Sequence, residues 1–128
     1  DTTEEASEDP GGYDLRISVA VNGHVVSEPP FSTMYWTAAQ QLAHMTVNGA
    51  SLRTGDLYGS GTVSGAEDGE RGSLLELTWN GRDTLELPTG KRTFLEDDDV
   101  VTLTAWAPGP HGTRVALGEV TGRVVPTA

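Results

Sequence analysis

Tyr13–Gly23 reads YDLRISVAVNG, and the fold class turns on it. Leu15, Ile17, Val19 and Val21 alternate with Asp14, Arg16, Ser18 and Ala20, the pattern of a strand that buries one side and wets the other. Asn22-Gly23 follows, and both residues accept the positive φ that a two-residue hairpin turn demands. The stretch therefore predicts a β-hairpin that returns through His24-Val25-Val26 and stops at Pro29-Pro30.

Downstream, most of the chain repeats this grammar. DLYGSGTV, SLLELTW, DTLEL, TFL, DVVTLTAWA and RVALGEVTGRVV are short apolar runs set between turn residues, with Asn80-Gly81 as a second hairpin signal. Met34–Met45, MYWTAAQQLAHM, is the one convincing helix; Tyr35, Ala39, Leu42 and Ala43 fall on one face, and Ser32 or Thr33 can cap it. Asn48-Gly49 closes the turn after it. The expectation is a mainly β, β-rich α+β domain, a roll or sandwich of short strands with one helix. Residues 1–12, DTTEEASEDPGG, hold five acids and almost no apolar side chain, which predicts an acidic flexible arm ahead of a single unit over 13–128. Glu96–Asp99 reads as a solvated turn between strands.

With 8 Lys+Arg against 19 Asp+Glu, the formal charge is -11, and a phosphate backbone would be repelled with no basic patch in compensation. Nucleic acid is excluded as a partner. The absence of cysteine removes disulfides, thiolate metal sites and cysteine nucleophiles. No apolar run approaches the roughly 18 residues of a membrane span, so no membrane partner is expected and a cytoplasmic protein is the default.

Chemistry-bearing groups are few. His24 sits beside the first hairpin turn, His44 near the helix end and His111 in PGPHG, with no spacing that suggests a shared metal. No G-x-S-x-G elbow, phosphate loop or H-E-x-x-H is present. Glu76 differs from the other acids because it interrupts an apolar run, SLLELTW. Read as a strand, that run turns Leu75 and Leu77 one way and Leu74, Glu76 and Thr78 the other. A carboxylate there needs a partner: Arg71 or Arg82 on a partly wet face, or an imidazole that it orients. Likewise the glycines around Thr62 mark either a bulge or a place where a ligand approaches the backbone.

Several runs together carry a resemblance. MYWTAAQQLAHMTVNGASLRTGDLYGSGTVSG, then GSLLELTWNG, TFLEDDDVVTLTAWA and GEVTGRVVP resemble, in order and spacing, the C-terminal part of the fumarylacetoacetate hydrolase family, over roughly Asp14 to Pro126. The resemblance implies a hydrolase that cleaves a carbon-carbon bond in a 1,3-diketo acid, releasing fumarate and acetoacetate in tyrosine and phenylalanine breakdown. It also implies a divalent cation, Mg or Ca, on the diketone oxygens, a His–Glu pair that activates water, and a homodimer. Glu76 matches the family glutamate that orients the catalytic histidine, and Thr62 matches the threonine that hydrogen-bonds the substrate carboxylate. The family's metal carboxylates and its histidine lie upstream of the matched region. No metal is therefore expected on this chain alone, and the chain reads as a C-terminal segment of such an enzyme. Two alternatives stand beside that: a non-catalytic β-rich binding or dimerisation module, and a related diketo-acid hydrolase or decarboxylase.

Overall fold

A computed structural model of the protein describes residues 12–127. β1 (Arg16–Val21) turns through Asn22 and Gly23, at φ 51° and 79°, into β2 (His24–Ser27). The hairpin is the one its sequence prescribes. β1 pairs on its other edge with β5 (Val100–Pro108), and β5 with β6 (Arg114–Arg123), so one antiparallel sheet runs in the order β2-β1-β5-β6. A separate two-stranded ribbon joins β3 (Leu85–Leu87) to β4 (Gly90–Arg92). The β-rich α+β class is as expected. The acidic run falls outside the described residues except for Gly12, which is buried against the Phe31 carbonyl.

Register decides which sheet face is apolar. Val19 stands opposite Leu103 and Val21 opposite Val101, so the period-two residues of β1 and β5 form one surface. Val21 is its centre, at 2% exposure. Val19, Val21, Val101 and Leu103 line a common apolar space with Leu74 and Leu77. β6 contrasts with this: every one of its residues is exposed, including Val115, Leu117 and Val120, at a sheet edge with no partner strand among the described residues.

Several local expectations are overturned. Leu74–Leu77 is not a strand but one helical turn, α2, which Ser73 caps by accepting the Glu76 N–H. Its period is 3.6, so Leu74 and Leu77 together meet the sheet while Leu75 turns out at 57% exposure. The longer helix, α1 (Ala38–Thr46), begins at Thr37 rather than at Ser32 or Thr33, because Thr37 and Gln40 form a reciprocal capping box. Tyr35 thus lies before the helix, largely exposed, and Phe31–Thr33 makes a separate 3-10 turn. Asp56–Val63 and Thr93–Leu95 form no strand; β4 occupies Gly90–Arg92 instead.

The acids of Glu96–Asp99 are not all solvated. Glu96, Asp97 and Asp98 are exposed, whereas Asp99 is 2% exposed. Its two oxygens accept from Arg92 Nε and Nη2 at 2.8 and 3.0 Å, Asn22 Nδ2 at 2.8 Å and the Glu96 N–H at 2.9 Å. Arg92 foremost, then the Glu96 amide and Asn22, hold the Asp99 carboxyl well below the usual carboxylate range against the opposing cost of burial. Asn22 Oδ1 in turn accepts the Val100 N–H, so this corner pins the hairpin turn to the start of β5.

Candidate functional site

Two glycines bring the Thr62 loop and the Glu76 helix together. A Cβ on Gly72 would collide with the Val63 carbonyl, and one on Gly65 with the Glu70 side chain, so only glycine lets residues 63–65 lie against 70–72. The Gly65 N–H donates to the Glu70 carbonyl at 2.9 Å. This paired segment is moored to the sheet edge, because Ser27 Oγ donates to the Arg71 carbonyl at 2.6 Å and the Glu28 N–H to the Gly69 carbonyl at 2.8 Å.

Glu76 sits at N3 of α2, half-buried, and its carboxylate is held from one side. Ser64 Oγ donates to Oε2 at 2.7 Å and Ser73 Oγ to the same oxygen at 3.2 Å. Oε1 accepts from no described residue, yet no buried side-chain oxygen among the described residues is left without a partner. Oε1 therefore keeps some exposure, and Glu76 lines a groove with Ser64, Arg71, Leu75, Trp79 and Asn80, a space of about 460 Å³. The arginine pairing that the sequence left open is not formed: Arg71 pairs with Asp68 and reaches only the Glu76 carbonyl, at 3.3 Å, while Arg82 pairs with Asp83 at 2.8 Å.

The groove's far wall is a constrained turn. Trp79 and Asn80 both adopt left-handed backbone, at φ 48° and 58°, which is unusual for a bulky aromatic residue. Thr78, fully buried beneath them, fixes the turn: its hydroxyl lies 2.7 and 3.1 Å from the Leu74 and Thr93 carbonyls and accepts the Gly81 N–H. The Arg71 and Arg82 guanidinium groups stand 5.4 and 5.1 Å from the Trp79 ring centre.

Thr62 is exposed, just after Gly61 at φ 84°, and its methyl abuts Gly72. Its hydroxyl bonds no described residue, and it does not line the Glu76 groove, although Ser64, two positions on, does. The histidines are dispersed: His24 opens β2, His111 lies in the β5–β6 turn, and His44 lines a larger groove of about 590 Å³ with Trp36 and Tyr58. Among the described residues no three His, Asp or Glu side chains are grouped to hold a metal ion, so the described acids do not fit a Mg or Ca cage. No described helix is long and apolar enough to cross a membrane.

A signal for α2 is present in the sequence. Ser73-x-x-Glu76 is the capping-box spacing, and it marks a helix start where the apolar alternation suggests a strand. Ser64 carries no comparable mark, because its role depends on a glycine contact across eight residues.

The chain belongs to the fumarylacetoacetate hydrolase family, whose model, described as fumarylacetoacetate (FAA) hydrolase C-terminal, matches residues 2–125. Its relatives include fumarylacetoacetases. It is 46% identical over 121 residues to the one from Arabidopsis thaliana, covering 90% of this chain and 28% of that protein. The Caenorhabditis elegans protein is 45% identical over 127 residues, covering 93% of this chain and 30% of that one. The Homo sapiens protein is 41% identical over 126 residues, with the same two coverages of 93% and 30%. The chain thus spans 28 to 30% of the length of these relatives.

Proposed function

We propose that this chain forms part of the site of a fumarylacetoacetase, in which Glu76 orients the imidazole of a histidine supplied by another segment and Thr62 donates to the substrate carboxylate. The observation that supports this most is the state of the Glu76 carboxylate: Oε2 is fixed by two hydroxyls, Oε1 is bonded by no described residue and is not fully buried, and the residue lines a groove. An oxygen so placed can accept the N–H of an imidazole, select its tautomer and stabilise the imidazolium formed when the other nitrogen takes a proton from water. None of the chain's own three histidines lines that groove, so the imidazole enters from elsewhere.

The reaction is hydrolysis of the carbon-carbon bond of 4-fumarylacetoacetate to fumarate and acetoacetate, within tyrosine and phenylalanine catabolism. A Mg or Ca ion, for which the described residues offer no cage, would supply Lewis-acid stabilisation of the diketone oxygens when bound. The complete enzyme is read as a cytoplasmic homodimer. The hydroxyl of Thr62, bonded by no described residue and beside the left-handed Gly61, offers a donor at the mouth of a loop whose backbone a carboxylate can approach closely.

The test is loss of the diketone absorbance of fumarylacetoacetate with Mg present. It is run on this chain, on a form extended N-terminally to the relatives' length, and on the extended Glu76→Ala. Activity confined to the extended form and lost in the variant supports the reading. Activity undiminished in Glu76→Ala overturns it.

A further inference from the structure

We infer that Ser64 is a positioning residue of this site, one that sets which way the Glu76 carboxylate faces; this rests on the reading of Glu76 given above. A serine hydroxyl has a single proton. Ser64 Oγ accepts the Gly72 N–H at 3.1 Å, and its proton goes to Glu76 Oε2 at 2.7 Å, a length that matches charge-assisted O–H···O⁻ bonds. The amide thereby anchors the hydroxyl that anchors the carboxylate.

Ser73 cannot substitute for it. Its bond to Oε2 is longer, 3.2 Å, and Ser73 caps the same helical turn that carries Glu76, so the two move as one. Ser64 is the one donor to the carboxylate from outside that turn among the described residues, and it lies two positions after Thr62 on the segment pressed against Gly72. It therefore sets the position of Oε1 relative to the loop that carries Thr62. Without it the terminal torsion of Glu76 is soft and roughly two-fold, and the direction in which Oε1 faces is no longer fixed.

The consequence falls on turnover rather than on substrate affinity, because Ser64 acts on Glu76 and not on the diketo acid. In the N-terminally extended enzyme, Ser64→Ala is expected to lower kcat about ten- to a hundredfold, the effect of one hydrogen bond to a charged group, with KM nearly unchanged. Ser64→Thr, which restores the hydroxyl, recovers most of the loss. Ser64→Cys fills the same space with a weak donor and gives the same fall as Ala, which keeps the test decisive should Ser64→Ala not fold. Glu76→Gln is measured alongside, with urea unfolding of every variant. Full activity in Glu76→Gln overturns the proposed function itself and this inference with it. A disabled Glu76→Gln beside unchanged kcat in Ser64→Ala and Ser64→Cys overturns this inference alone. So does a loss that tracks stability and that Ser64→Thr does not rescue.

Discussion

Asp99 and Glu76 are both carboxylates taken partly or wholly out of water, and the molecule treats them in opposite ways. At Asp99 both oxygens are occupied, by Arg92, Asn22 and the Glu96 amide, in a corner at 2% exposure. At Glu76 neutral hydroxyls hold one oxygen and the other has no described partner, while two nearby arginines are engaged elsewhere. A buried charge with every acceptor filled joins strands; under the function proposed above, the oxygen with no described partner is the one that meets an imidazole. What differs between the two is the number of carboxylate oxygens with a described partner.

The contrast breaks most sharply under paired amide substitutions. Glu76→Gln keeps an oxygen for Ser64 but replaces the charge that would stabilise an imidazolium. The extended enzyme should lose about a hundredfold to ten-thousandfold in kcat, with stability within about 1 kcal/mol of the parent. Asp99→Asn should do the reverse. It leaves the Arg92 guanidinium without its buried counter-charge, at a cost of about 3 kcal/mol in urea unfolding, with activity of the surviving folded fraction intact. If both substitutions struck stability alone, the distinction drawn between the two carboxylates would fail.

Acid sharpens the same comparison. Because the Asp99 carboxyl is held below its unfolded-state value, its contribution to stability is complete above about pH 4, the ordinary range for a free Asp, and fades as pH falls beneath that. Unfolding midpoints of the parent and of Asp99→Asn should therefore converge between pH 5 and pH 2, both values set about the ordinary Asp range. A gap that stayed constant across that window would show the Asp99–Arg92 pair to be irrelevant to it.

Gly72→Ala probes the seat of Glu76 rather than the group itself. Its Cβ would meet the Val63 carbonyl, so the Thr62–Gly65 segment must shift, at about 1 to 3 kcal/mol by the usual cost of overpacking. Ser64 moves with that segment, so turnover in the extended enzyme should fall along with stability. Stability lost without turnover would mean that the seat and the carboxylate are not coupled.

Where the sequence was readable, a local rule had no competitor. The β1–β2 hairpin follows from an unbroken alternation and an Asn-Gly turn, and β5 from a run rich in Val and Thr. Where it misled, two local rules conflicted. SLLELTW satisfies a period of two, but Ser73 and Glu76 also satisfy the helix-start spacing, and the packing of Leu74 with Leu77 on the sheet decided for the helix. Asp99 could not be told from Asp97 and Asp98 by any local pattern, since its partners Asn22 and Arg92 arrive through the β1–β5 pairing and the β3–β4 ribbon. Ser64 was hidden for the same reason: the glycine contact that aims it is tertiary. Glu76 and Thr62 stood out through their motifs, whereas the hydroxyl that connects their segments did not.

Ser73 is the point at which the two rules meet, and removing its hydroxyl should have the smallest effect of all. Ser73→Ala deletes an N-cap, for which about 1 kcal/mol is the ordinary loss, measurable as a small drop in the urea midpoint. It also deletes the longer of the two bonds to Glu76 Oε2 and spares the 2.7 Å bond from Ser64. Turnover should therefore fall less than in Ser64→Ala even though the helix is weakened more. A larger loss of kcat in Ser73→Ala would place control of the carboxylate within its own helical turn, and the Thr62 loop would then be a neighbour of Glu76 rather than its guide.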